Sequence, residues 1–349
     1  MNRRIKEATR RELPILLHGV IMGGGPSQWA AEDHVRKGLP VFATPEAARS
    51  FNDDLEAVRE MGIQVIGDDE AAALAGDIFR IELRDFDFPA IRRAFESFGV
   101  SLDDLSAVAV AVFDHGNAPP DVSDRQFRFD YLDERLRVHA GEGTRRQLSA
   151  FAYEAGEVPG IMTRLQAVVD SAKDVDAPLV VMDTAPAAVL GATYDPVLAA
   201  RDQLIIANVG NFHTLAFRLG SEGIEGVFEH HTGLIDLVKL ENLLYGLAKS
   251  SLVHQDVFGD HGHGALVYNP EPLSFVDGKL DAAVTGPRRG MMYAAQSVKP
   301  YFAVPFGDMM IAGCFGLLSA VGDLLPDLRD EIHRSMEENR SSMAPWDAV

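Results

Sequence analysis

Eleven histidines are spread along 349 residues, and seven of them lie in turn-like stretches near Gly, Asp, Glu or Thr: His115, His213, His230, His231, His254, His261 and His263. Imidazoles among carboxylates suit metal binding or general acid–base work near neutral pH. In His261-Gly262-His263, two rings fall on one side of an extended segment, and Glu229-His230-His231 lies a short way upstream. Glu229, His230, His261 and His263 are therefore the metal-ligating candidates, with Asp260 as a further oxygen donor. The pair Asp114-His115 follows the apolar run Leu105–Phe113, whose Ala-Val repeat reads as a central strand covered on both faces. Strand ends are where α/β sheets present their ligands, so Asp114 and His115 are the acid–base candidates.

A second set of residues suits phosphate. Leu204–Asn208 is a buried-strand pattern followed by Val209-Gly210-Asn211-Phe212-His213-Thr214 and the alternating run Leu215–Leu219. A tight Gly turn between such strands makes a hairpin whose amides can face a phosphate. Upstream, Leu179–Asp183 runs into a helix with Pro186-Ala187-Ala188. Downstream, Ala282–Thr285 is delivered into Gly286-Pro287-Arg288-Arg289. The amides around Asn208, Gly210, Asn211 and Thr214 can face a phosphate, and Arg288, just past Gly286, suits stacking on a purine or pairing with phosphate. Arg125-Gln126-Phe127-Arg128 reads as a surface strand whose charges suit an anionic substrate, and Trp29, Met291-Met292 and Met309-Met310 read as core.

The elements that must position these residues alternate between strand and helix, so the fold class is α/β. Strands are expected at 13–22, 40–43, 63–66, 78–83, 178–182, 203–208, 213–219, 223–228 and 281–285. Helices are expected at about 27–37, 45–62, 89–98 and 234–249, with two more closing the chain. Residues 114–156 read as a loop-rich excursion ending in a helix near 145–153. The length favours two lobes: 1–175, 176–305, and a closing helix and polar tail over 306–349. Acidic side chains outnumber basic ones by 52 to 32, a formal charge of -20, which argues against nucleic acid and anionic membrane surfaces as partners. A single cysteine, Cys314, reads as a buried thiol; it excludes a cysteine-ligated cluster and suits a reducing compartment. No apolar run is long enough to span a membrane and the opening residues are charged, so a cytoplasmic protein is expected.

The order Pro186-Ala187-Ala188, then Asn208–Thr214, then Thr285-Gly286-Pro287 resembles the actin-like ATPase superfamily of sugar kinases and Hsp70 chaperones. That resemblance implies a two-lobed actin-like fold of ribonuclease H-like lobes, with ATP and magnesium, or another phosphorylated small ligand, in an interlobe cleft. Asn208 stands where the family's phosphate hairpin has Asp, and an amide cannot organise a metal-bound water as a carboxylate does. No Asp-x-Gly hairpin for the first lobe occurs before Leu13: either the true start lies upstream of Met1 or the loop is lost. With Met1 as the start, the expectation is weak nucleotide binding, negligible hydrolysis and an unpaired edge that favours a homo-oligomer. A closer resemblance is to a prokaryotic family labelled pyruvate formate-lyase activating enzyme. It is carried by Met22-Gly23-Gly24-Gly25-Pro26, Phe51-Asn52-Asp53-Asp54, Asp114-His115-Gly116, Ser123-Asp124-Arg125, Glu229–Gly233 and His261–Ala265. The label implies an iron–sulfur cluster on three cysteines, which one cysteine cannot supply. Three functions follow as expectations: a phosphorylated-ligand binder or phosphotransferase, a metal-dependent hydrolase using the histidine turns, or a non-catalytic regulator.

Overall fold

A computed structural model describes residues 1–139, 146–275 and 278–338. The chain divides into two compact units, 1–108 with 158–179, and 109–157 with 180–349. The first unit opens with α1 (Asn2–Arg10), β1 (Ile15–Gly19), α2 (Gly25–Arg36) and β2 (Val41–Ala43). It continues with α3 (Pro45–Ala48), α4 (Leu55–Glu60), β3 (Gln64–Val65), α5 (Asp68–Ala73), β4 (Phe79–Leu83) and α6 (Phe88–Ser97). All pairings here are parallel, in the order β3-β2-β1-β4, because each strand is followed by a helical crossover. Ile15, Leu17, Val41, Ala43, Ile81 and Leu83 share one core with Ile5 and Ala8 of α1. The glycine run after β1 has a packing cause: a Cβ on Gly24 would lie 1.8 Å from the Ser50 carbonyl oxygen.

Next come β5 (Val108–Val112), α7 (Asp124–His139), β6 (Ala152–Glu154), α8 (Thr163–Ser171, in the first unit) and β7 (Leu179–Asp183). These strands form a sheet ordered β5-β7-β6. The second unit then adds α9 (Thr184–Ala192), α10 (Pro196–Ala199), β8 (Leu204–Val209), β9 (His213–Gly220), β10 (Gly223–His231), α11 (Leu237–Ala248) and α12 (His254–Phe258). It closes with β11 (Gly264–Val267), β12 (Leu280–Thr285), β13 (Val298–Phe302), α13 (Ala312–Leu324) and α14 (Pro326–Glu338). Its main sheet runs β11-β10-β9-β8-β12-β13, with β8 to β11 an antiparallel meander and β12 and β13 parallel to β8.

Strand alternation gives that sheet two cores. Ile205, Ala207, Val209, Phe228, Ala282 and Val284 pack with Leu240, Leu244 and Leu247 of α11. Leu204, Ile206, Leu215, Phe217 and Val227 pack with Phe129, Leu132 and Leu136 of α7 and Ala185 and Val189 of α9.

The α/β class holds, and several finer expectations do not. Residues 124–139 are helix, so the Arg125–Arg128 run is not a surface strand, and Arg128 is buried. Charged side chains on the outer turns hid its inward stripe of Phe129, Leu132 and Leu136. β5 is an edge strand, mostly half-buried, not a central one; its alternating Ala and Val looked covered on both faces. The segment 146–154 is a 3-10 turn followed by a strand, and the start of the expected helix at 145 lies outside the described residues, as does the tail from 339. Trp29, Met310 and Cys314 are exposed rather than core.

Candidate functional site at the end of the six-stranded sheet

The β9–β10 hairpin register sets the site. His213 pairs with His231, and Glu229 pairs with Leu215 on one side and Gly264 on the other. Residues two apart on a strand share a face, so Glu229 and His231 point one way and His230 the other. The His263 amide donates to the Glu229 carbonyl at 2.9 Å, which brings a third imidazole to the same place. The ring centroids of His213, His231 and His263 lie 4.7 to 5.0 Å from one another. One nitrogen from each falls within 4.8 Å of the others.

Beneath these rings sits a buried ion network. Arg128, carried by α7, donates from Nε to Glu229 Oε2 at 2.6 Å and from Nη2 to Asp183 Oδ2 at 2.8 Å. Its Nη1 donates to the Asp114 carbonyl at 2.8 Å, and its guanidinium lies over the Phe113 ring. Glu229 Oε1 bonds His213 Nδ1 at 2.9 Å and lies 3.9 Å from His263 Nε2. Phe113 packs on the His213 ring at 4.3 Å. Asp183 also caps α9 by accepting from the Ala185 amide.

Burial works against both carboxylates, and the outcomes differ. For Glu229 it is outweighed by Arg128 and the neighbouring imidazoles, which hold the carboxyl below the usual carboxylate range. For Asp183 burial prevails over Arg128 and pushes the carboxyl up. Burial would lower Arg128, but its two carboxylate partners hold it above the ordinary guanidinium value. Burial lowers His231, with help from His213, and pushes His263 down to about 3, so both rings are neutral near pH 7.

Of the metal candidates, Glu229 and His263 belong to this cluster. His230 is buried and turned away, its Nε2 3.0 Å from the Asp260 carbonyl and its Nδ1 near the His231 carbonyl. His261 is exposed on a turn residue with φ 64°. The acid–base pair lies just past β5: Asp114 is buried and accepts from the Gly116 amide, and His115 is half-buried, its ring 6.0 Å from that of Phe113.

The phosphate candidates gather at the β8–β9 turn and the end of β12. Asn208 pairs with Thr285, and the Gly210 amide donates to the His213 carbonyl, closing the hairpin. Asn211 is exposed. Thr214 is buried with its hydroxyl bonded to that of Thr232 at 2.9 Å. Gly286 has φ 96°, and a Cβ there would sit 2.6 Å from the Val209 carbonyl and 2.7 Å from Asn208 Oδ1. The Arg288 amide donates to that same Val209 carbonyl, and the Arg288 residue is exposed.

Sequence reasoning placed Arg128 on a surface strand, passed over Asp183, and singled out His213 and His231 without joining them to His263. Counting outward from the β9–β10 turn at 221–222 puts His213 opposite His230. A one-residue bulge between Ile224 and Gly226 shifts the register so that His231 faces His213, and no local pattern announces that bulge.

A family model described as "Putative pyruvate format-lyase activating enzyme (DUF1786)" matches residues 22–291. No curated protein and no solved structure matches the chain. Cys314 is the one cysteine in 349 residues, so the iron–sulfur chemistry of that description has no ligands here. The chain belongs to this family, whose name does not describe what these residues can do.

Proposed function

We propose that the second unit is an actin-like, ribonuclease H-like lobe, and that its sheet end binds a phosphorylated small ligand or nucleotide. One observation carries this reading. The hairpin at 208–214 and the turn at 285–288, far apart in sequence, are locked together by the Arg288 amide on the Val209 carbonyl and by side-chain-free Gly286 against Asn208. The Arg288 and Gly210 amides are engaged by the Val209 and His213 carbonyls, so recognition of a phosphate at these strand ends falls to the exposed turn residues, Asn211 among them. Exposed Arg288 adds a cation beside them. Asn208 in place of an acid favours binding over ATP turnover.

Calorimetric titration with ATP, ADP, inorganic phosphate and sugar phosphates tests the reading, with and without magnesium. At least one phosphorylated compound should bind. Arg288→Ala should weaken it several-fold without moving the melting temperature, and Gly286→Val should abolish it. Absence of binding across the set contradicts the reading.

A further inference from the structure

We infer that His213, His231 and His263 hold one divalent transition-metal ion of the zinc class, with a fourth coordination position left open to water or a substrate oxygen. Three observations converge on it independently of phosphate binding. The first is geometric: three nitrogens, one from each ring, lie within 4.8 Å of one another. A metal–imidazole bond is about 2.0–2.1 Å long, so one ion reaches all three after small ring rotations.

The second is an unmet need. His263 is only 4% exposed, and neither ring nitrogen has a hydrogen-bond partner. A buried polar group without a partner is costly, and native proteins rarely leave one unexplained. A bound cation supplies a partner for one of these ring nitrogens.

The third lies one layer out. Glu229 Oε1 engages His213 Nδ1, which fixes that ring and leaves Nε2 as its donor atom. This carboxylate–histidine pairing is the usual second layer of a metal site, raising ligand basicity and setting ring orientation. Arg128 in turn holds Glu229 Oε2, so Glu229 cannot swing in to ligate without breaking a 2.6 Å bond.

The donor set also selects the ion. Three imidazoles with no thiolate suit zinc, iron, copper or nickel rather than magnesium or calcium, which take oxygen ligands. Three protein ligands leave a tetrahedral ion one position short, the pattern of a catalytic rather than a structural site. That position is reachable, because the His213 side chain is 21% exposed. Water bound there is acidified toward neutrality and becomes a nucleophile.

The full chain, stripped with a chelator and then titrated with Zn²⁺ and Co²⁺, tests this. One equivalent should bind, with the intense visible absorption of tetrahedral cobalt, and the Zn²⁺ form should melt higher. His263→Ala and His231→Ala should each lose affinity by at least tenfold. Glu229→Gln, which keeps all three ligands, should lose about ten- to a hundredfold. If a variant fails to fold, imidazole ¹⁵N shifts of the wild-type chain replace it. Those of His213, His231 and His263 should move together at one equivalent. No binding tighter than millimolar, affinity that survives loss of His263, or shifts confined to other histidines would overturn the inference.

Discussion

The two units spend their interiors differently. In the first, the four-stranded parallel sheet is lined by Ile, Leu, Val and Ala, and His34 is the one titratable residue buried among those described. In the second, Asp114, Arg128, Asp183, Arg218, Glu225, Glu229, His230, Glu241 and His263 are all buried. Burying charge costs several kcal/mol per ion unless partners offset it. A sheet can be stabilised without it, as the first unit demonstrates. Part of the second unit's charge serves the scaffold, since Glu241 Oε1 receives the amides of Gln296, Ser297 and Val298 and so fixes the entry to β13. The Arg128 network also holds backbone, at the Asp114 carbonyl and the start of α9, but it ends beside His263, whose ring nitrogens have no hydrogen-bond partner. Among the described residues the buried charges are thus concentrated in the second unit.

The largest effect should come from breaking the network at its centre. Arg128→Met leaves Glu229 and Asp183 buried and uncompensated, so unfolding in urea should show a loss of about 3–5 kcal/mol. The first unit's counterpart is Arg164, which donates to Asp85 at 2.6 Å but is 24% exposed. Arg164→Met should cost only about 1–2 kcal/mol. Equal losses would erase the distinction between the units.

A smaller, pH-dependent effect belongs to His34. Burial lowers its pKa, with the Pro40 backbone pulling the other way, and Nδ1 bonds the Thr9 hydroxyl at 2.8 Å. The unfolded chain therefore takes up a proton near 6.5 that the folded chain resists. Its contribution is full above pH 6.5 and falls away below it, by at most about 1.4 kcal/mol per pH unit. Denaturation series between pH 7.5 and 5 should show this slope flattened in His34→Leu, and an unchanged slope would remove His34 from the account. The smallest effect is expected on the surface. Glu56→Gln, which loses an exposed pair with Arg59, should shift stability by no more than about 0.5 kcal/mol.

Strand alternation and turn chemistry carried much of this architecture into view from the sequence. Gly210 and Gly286 punctuate the meander and the β12 turn, and the apolar runs at 179–183 and 204–209 are strands. Position alone could not be read for α7, because Arg125, Arg128, Asp130 and Glu134 make its sequence look solvated. Only the packed structure reveals that Arg128 turns inward to meet carboxylates contributed by β7 and β10. His230 and His231 posed the same problem in miniature: adjacent in sequence, they are separated by a strand's two faces, and register decides which one joins the cluster. His263 reaches the site through a backbone bond to Glu229, a pairing across more than 30 residues that no local pattern encodes.

The most direct test is anomalous diffraction from crystals grown with Zn²⁺, with data collected on both sides of the zinc absorption edge. The account predicts one strong peak within coordination distance of nitrogens from His213, His231 and His263, with Glu229 still bonded to His213. A peak on other side chains, or none between these three rings at full Zn²⁺ loading, would contradict it.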